Sequence, residues 1–270
     1  MFKALLKTRL AAFGAYYSGA ARRRGGKKKS GAGQKVLYAL LFLYCFVVFV
    51  GLFYTVFSTL AGAFGGTDFA WLYFAMYAIL SFALMFIGSV FTAKSQLFEA
   101  RDNELLLSMP VPPRYILGSR MAALMIFNAA FQLIVAIPAM AAWALHGTLT
   151  AMGVVSFVVL LPVLNLFTLA VTCLFAWLLS LLTARMRDKN LVTMLFSLLF
   201  LGAYFVVLNR MNAYVAELAA NGAQLAGSLG GISPLVWLGT AMSEGSIPAL
   251  LGSVVILLAP FALVYALLSH

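Results

Sequence analysis

Charge is what this sequence has least of. Only 9% of its 270 residues are Asp, Glu, Lys or Arg, and only seven are acidic. A water-soluble domain carries about 25% charged residues. Hydrophobic residues make up 64% of the chain, so polar groups cannot cover its apolar surface and a bilayer must. Chemistry-bearing side chains are equally scarce. The two histidines are His146, at a turn between apolar runs, and His270, at the chain end; both read as surface residues. No pair of carboxylates sits at membrane depth, and no Ser, His and Asp can converge. An intramembrane hydrolase or transferase needs a general base, and the apolar runs offer none. No catalytic residue is therefore expected. Cys45 and Cys173 both lie inside apolar runs and read as small buried hydrophobes. Without His or carboxylate neighbours they make no metal site. A proton-coupled carrier would place ionisable groups inside the membrane, and that too is missing.

What is present is long apolar runs. Six stretches of 18 residues or more carry no Asp, Glu, Lys or Arg: 36–64, 69–93, 121–145, 151–183, 191–208 and 247–269. Each is long enough to cross a bilayer as a helix. The first is no signal peptide, because its core is about twice the length of a 7–15-residue signal core. The expected fold class is an all-α integral membrane protein: an N-terminal interfacial helix plus six transmembrane helices. Basic residues set the expected orientation. With the N-terminus in the cytosol, the inner segments 1–35, 94–120 and 184–190 hold ten, four and three Lys/Arg, which is 17 of the 18. Only Arg210 falls outside.

Segment 1–35 is read as a cytosolic amphipathic helix and basic connector. Phe2, Leu5, Leu6, Leu10, Phe13 and Tyr17 form an apolar stripe opposite Lys3 and Lys7, which suits a helix lying in the membrane surface. The run Arg22-Arg23-Arg24-Gly-Gly-Lys27-Lys28-Lys29 suits anionic lipid. It lacks the interleaved aromatics of a nucleic-acid patch, so no nucleic acid is expected. Gly26-Lys27-Lys28-Lys29-Ser30 fails the phosphate-loop pattern, because position 21 is Ala21 and no strand precedes it. Residues 36–270 are read as the six-span domain, with an outer segment at 209–246. That segment should hold a short amphipathic helix over Met211–Leu225, a turn at Gly227-Ser228-Leu229-Gly230-Gly231, and an interfacial stretch Ile232–Met242 anchored by Trp237. The chain ends at Ser269-His270 with no basic residue behind the last span, which suggests that the native chain continues or was cut there.

The spans do offer uncharged polarity. Asn128 and Gln132 lie i, i+4 on the third span, and Asn165, Thr168 and Thr172 make a similar stripe on the fourth, beyond a kink expected at Pro162. They read either as interhelical hydrogen bonding or as the lining of a pathway or dimer seam. Gly62-x-x-x-Gly66 allows close helix approach.

The segment between the second and third spans, 94–120, is the informative one. Glu99, Arg101, Asp102 and Glu104 fall within six residues, followed by Leu105-Leu106-Leu107, Pro110-Val111-Pro112-Pro113, Arg114 and Arg120. A helix from about Ser95 to Ser108 would put Phe98, Leu105 and Met109 on one side and charge on the other. Pro110 would end it, since the residue before proline is pushed from helical geometry. Pro113 suits the first turn of the next helix. The product is an elbow beneath the membrane.

The run Glu99–Arg120 resembles the first cytosolic loop of ABC transporter permeases of the type-2 exporter class. Glu104-Leu105-Leu106, Pro110, Ile116-Leu117 and Arg120 stand where that family has Glu-Leu-Leu, a proline, an Ile-Leu pair and a basic residue. The whole chain matches the family in plan, and about 25 residues match in motif. The resemblance implies that Phe98, Glu99, Arg101, Asp102, Glu104, Leu105, Leu106, Pro110 and Arg114 dock a separate ATPase subunit. Arg185, Arg187 and Asp188 would form the second cytosolic loop. ATP and Mg would be bound by that partner, with no cofactor in this chain. It implies a second six-span unit, as homodimer, heterodimer or missing C-terminal half, and export of an amphiphilic substrate across a plasma (inner) membrane. A different reading of the same loop is a non-transporting scaffold or sensor that recruits a cytosolic regulatory protein.

Overall fold

A computed structural model describes residues 32–98, 113–184 and 220–269, with scattered positions from 194 to 213. The N-terminal stripe and basic run, the docking positions 99–112 and the residues Arg185, Arg187 and Asp188 lie outside the described residues. So do the side chains of Phe98 and Arg114.

Among the described residues the continuous α-helices are, in order, α1 (Ala32–Phe64), α2 (Ala70–Ala93), α3 (Pro113–His146), α4 (Ala151–Ala184), α5 (Gly222–Leu229), α6 (Ser233–Ser243) and α7 (Ile247–Ser269). There is no strand among the described residues. Among the described residues five helical stretches are long and apolar enough to cross a membrane: Leu43–Phe64, Ala70–Leu97, Ile116–His146, Ala151–Leu181 and Ile247–Ala266. In a bilayer core every backbone group must be satisfied within the segment, which selects helices. The longest stretches have 31 residues; at about 1.5 Å per residue they exceed the roughly 30 Å of hydrocarbon. The expected run 191–208 is described only in part, and its described positions are helical.

The bundle buries uncharged polar residues along with its apolar ones and leaves large apolar side chains bare on its outside. Ser81, Ser89, Asn128, Gln132, Asn165, Thr168 and Thr172 are buried, while Leu40, Leu41, Val47, Leu133, Val158, Leu251 and Val255 are exposed. Only a hydrocarbon solvent makes that arrangement favourable. This is a membrane-embedded helical protein. The middle helices α2, α3 and α4 pack against one another, α1 packs on α3, and α7 packs on α4. Accordingly 50% of α4's apolar window is buried, against 22% for α1 and 17% for α7.

Two apolar cores hold the bundle. The larger, at the Asp68/His146 end, is built on aromatic rings. Tyr73 packs on Trp143 with centroids 4.7 Å apart, Phe74 on Trp143 at 5.0 Å, and Tyr77 on Phe157 at 5.0 Å. The Tyr73 hydroxyl donates to the Ala139 carbonyl at 2.6 Å, so its polar tip is satisfied. The smaller core, at the Lys94/Arg120 end, gathers Ala93, Met121, Leu124, Leu169, Cys173 and Ala176.

Several expectations change. Cys173 is buried as expected, but Cys45 is exposed on the bare flank of α1. The Gly62-x-x-x-Gly66 pair brings no helices together: a Cβ at either glycine would meet nothing within 4 Å. Gly66 instead takes a positive φ of 77° and turns the chain out of α1. Close approach occurs at Gly65, where a Cβ would lie 2.5 Å from the His146 carbonyl oxygen. No new helix starts at Ser95. With no Gly, Pro or cap after Ala93, α2 passes straight into a π-helical turn, Lys94–Phe98. Pro113 does open α3, where its missing N–H costs nothing. In the outer segment the break falls at Asn221, and α5 runs through Gly227 and Ser228 before Gly230 ends it.

Stretch 232–242, too short to span, forms α6. It is wedged between α2, α4 and α7 with Leu238, Gly239, Ala241 and Met242 buried. At Gly239 a Cβ would collide with the Trp71 backbone carbonyl, and at Gly153 it would lie 2.6 Å from the Met242 carbonyl oxygen. The two glycines let α6 lie directly on the starts of α2 and α4. Trp237 is half exposed at the edge of this wedge, its ring against Gly252 of α7.

Candidate functional site

Between the two apolar cores lies a polar seam shared by α2, α3 and α4. Helical spacing puts each contribution on one face: Tyr77, Ser81 and Ser89 on α2; Asn128 and Gln132 on α3; Asn165, Thr168 and Thr172 on α4. All but Tyr77 are buried polar residues, and Tyr77 is buried with the core. Ser81, Asn128 and Gln132, and Asn165 with Thr168 each fall near the middle of their spans. The centre of the seam therefore falls midway along the spanning helices.

Two amides cross the α3–α4 contact in opposite directions. Gln132 Nε2 of α3 donates to the Leu161 carbonyl at 2.8 Å, and Asn165 Nδ2 of α4 donates to the Met125 carbonyl at 3.1 Å. Both acceptors are helix carbonyls already used within their own helix, so their second lone pair is what the amide takes. Such bonds average about 0.6 kcal/mol in membranes. Thr168 Oγ1 donates to Leu164 O at 2.8 Å and Thr172 Oγ1 to Thr168 O at 2.7 Å. These back-bonds satisfy the hydroxyls within α4. Ser89 bonds the Met85 carbonyl at 2.7 Å and lies 3.4 Å from Thr172 Oγ1, tying α2 to α4. Four of the five expected seam residues thus act in holding helices or satisfying themselves.

Asn128 is different. It lies on the α3 face between Met125 and Gln132, fully buried, and neither its Nδ2 nor its Oδ1 has a protein partner. Asn165 Oδ1, Ser81 Oγ and the Tyr77 hydroxyl are also without one. Sequence spacing drew attention to α3 and α4 but missed α2. The period-four set Tyr77, Ser81, Ser89 was readable, and was masked by the apolar residues between.

Compared with protein-family models, curated proteins and solved structures, the chain matches none of them.

At the Lys94/Arg120 end two basic side chains are buried, Lys94 and Arg120 being 3% and 4% exposed. Arg120 Nη1 reaches the Leu97 carbonyl at 3.5 Å. Lys94 belongs to the π-turn that leaves α2, and Arg120 to the α3 turn that enters the bundle. Both roots of segment 94–120 are therefore packed into the helices rather than hanging from them. At the opposite end His146 is exposed, as expected, and its Nε2 lies 3.2 Å from Ser58 Oγ of α1. Among the described residues no group of three His, Cys, Asp or Glu is placed to hold a metal.

Proposed function

We propose that the chain is the membrane-spanning subunit of an ABC transporter of the type-2 exporter class, driven by a separate ATPase that docks on segment 94–120. It would have six spans, with its N-terminus in the cytosol of a bacterial-type plasma membrane, and work as a pair of six-span units. The observation that carries this reading is the loop together with its roots. The sequence from Glu99 to Arg120 resembles the ATPase-docking loop of that class in the order of its residues. Its two roots are Lys94 and Arg120, both buried against the central helices. A load applied to that loop passes into α2 and α3, which are helices that form the polar seam. The central helices are joined at the seam by a few weak hydrogen bonds, so they can re-pair at low cost. An amphiphilic cargo agrees with an uncharged polar band set between apolar cores.

The purified chain is expected to hydrolyse no ATP by itself, and hydrolysis should appear on co-expression with its ATPase. Glu104→Lys should abolish co-purification with that ATPase while leaving membrane insertion intact. Truncating one partner of a desolvated, hydrogen-bonded charge pair typically costs about 2–5 kcal/mol, and reversing it costs no less. Lys28→Glu, in the basic run, serves as the control. Equal behaviour of the two variants, or co-purification with a cytosolic protein that hydrolyses no nucleotide, overturns the proposal in favour of a scaffold.

A further inference from the structure

The seam holds more hydrogen-bonding capacity than the protein itself can use. A carboxamide offers two donors and an acceptor oxygen with two lone pairs. At Asn128 none of this is met, although the residue is 0% exposed. Asn165 is fixed in orientation, because only its Nδ2 can donate to the Met125 carbonyl; its Oδ1 must therefore face the other way, and it has no partner. Met125 is one turn before Asn128 on the same face of α3, so the bond that holds Asn165 brings it beside Asn128. On α2, the third helix of the seam, the Tyr77 hydroxyl is turned towards Ser81 and Gln132, close enough to interact with both, but neither it nor Ser81 Oγ meets a partner at full hydrogen-bond geometry. Donors and acceptors from α2, α3 and α4 thus converge in one band.

We propose that this band is a buried water site, with Asn128 as its principal ligand and Asn165 Oδ1 and Ser81 Oγ as further contacts. The ligand must be neutral: no Asp, Glu, Lys, Arg or His contributes to the band, so nothing there compensates an ion. It must both donate and accept, since Asn128 presents both functions while Asn165 presents an acceptor alone. It must be small, because the apolar clusters close the band on both sides, with Leu124 and Leu169 below and Val135, Leu160 and Leu164 above. Water meets all three conditions, and buried waters typically make about three hydrogen bonds to otherwise unsatisfied groups. A direct Asn128–Asn165 bond would serve one of Asn128's hydrogens and leave its carbonyl unmet. The site does not depend on what the protein transports, or on whether it transports.

The test uses the full chain in lipid bilayers, labelled with 13C,15N-asparagine and with 13C-methyl leucine and valine, with magnetisation transfer from water followed by solid-state NMR. Asn128 follows Phe127 in the only Phe-Asn pair of the sequence, so labelling phenylalanine carbonyls with 13C assigns its resonances without a variant. The expected result is transfer to the Asn128 side-chain amide as fast as to exposed Asn221, and much faster than to the methyls of Leu124 and Val135. Transfer as slow as to those methyls overturns the site. Asn128→Leu gives a second readout. Replacing a hydrated amide loses its water contacts and lowers the unfolding midpoint. Replacing a dry, unpartnered amide raises it, and a raised midpoint likewise overturns the proposal.

Discussion

Gln132 and Gly239 illustrate how much a single residue contributes when lipid has removed the hydrophobic drive between helices. Gln132→Leu keeps the volume and deletes the bond to the Leu161 carbonyl. The expected loss is about 0.6 kcal/mol, and no more than about 1.7 kcal/mol, measured by reversible unfolding in mixed micelles. Gly239→Ala should cost more. Its Cβ would enter the Trp71 backbone carbonyl, so α6 must retreat, and overpacking of this sort costs about 1–3 kcal/mol. Gly62→Ala is the control, because its Cβ meets nothing within 4 Å; it should be neutral or gain up to about 1 kcal/mol of helix propensity. Equal effects of the two alanines would mean that α6 is not seated on α2. The contrast also shows what spacing alone cannot give. Gly62 and Gly66 have the small-xxx-small pattern, yet Gly65 makes the approach. The pattern specifies a smooth helix face but not what faces it.

At the scale of elements, apolar run length was readable, and element ends were readable where proline or glycine imposes them. Pro113 starts α3 and Gly66 turns out of α1, each for a local backbone reason. The π-turn Lys94–Phe98 and the burial of α6 were not readable. The first extends a helix whose sequence carries no stop signal, and the second depends on Gly153 and Gly239 meeting carbonyls distant in the chain. The same logic frames a prediction for the docking segment. Pro110 lies outside the described residues, but its effect on the residue before it is a backbone property. Pro110→Ala should let a helix run on and shift Arg114 relative to the start of α3. Assembly with the ATPase, read by co-purification, should change little, while transport per ATP hydrolysed should fall. A variant that loses binding and keeps its coupling ratio would place the role of Pro110 in docking instead.

For the whole molecule, the decisive asymmetry is that of charge across the bundle. Of the 18 basic residues, 17 lie in segments 1–35, 94–120 and 184–190, and Arg210 alone lies in the others. An excess of Lys and Arg in short loops marks the cytosolic side, so the Lys94/Arg120 end should face the cytosol and the Asp68/His146 end the outside. The bundle itself has no such preference, since its apolar belt would fit a bilayer either way up. The test is cysteine labelling. Cys45 must first be removed, because it is exposed on α1; Cys173 is buried and is removed with it. A cysteine replacing Ala100, between the two buried basic roots, should react in intact cells only with reagents that enter the cytosol. One replacing Ala220, exposed just before the Asn221 break, should react with impermeant reagents from outside. Swapped accessibility would invert the molecule and put segment 94–120 out of reach of any cytosolic ATPase. It would remove the proposed function while leaving the proposed water site, which lies between the two apolar cores, untouched.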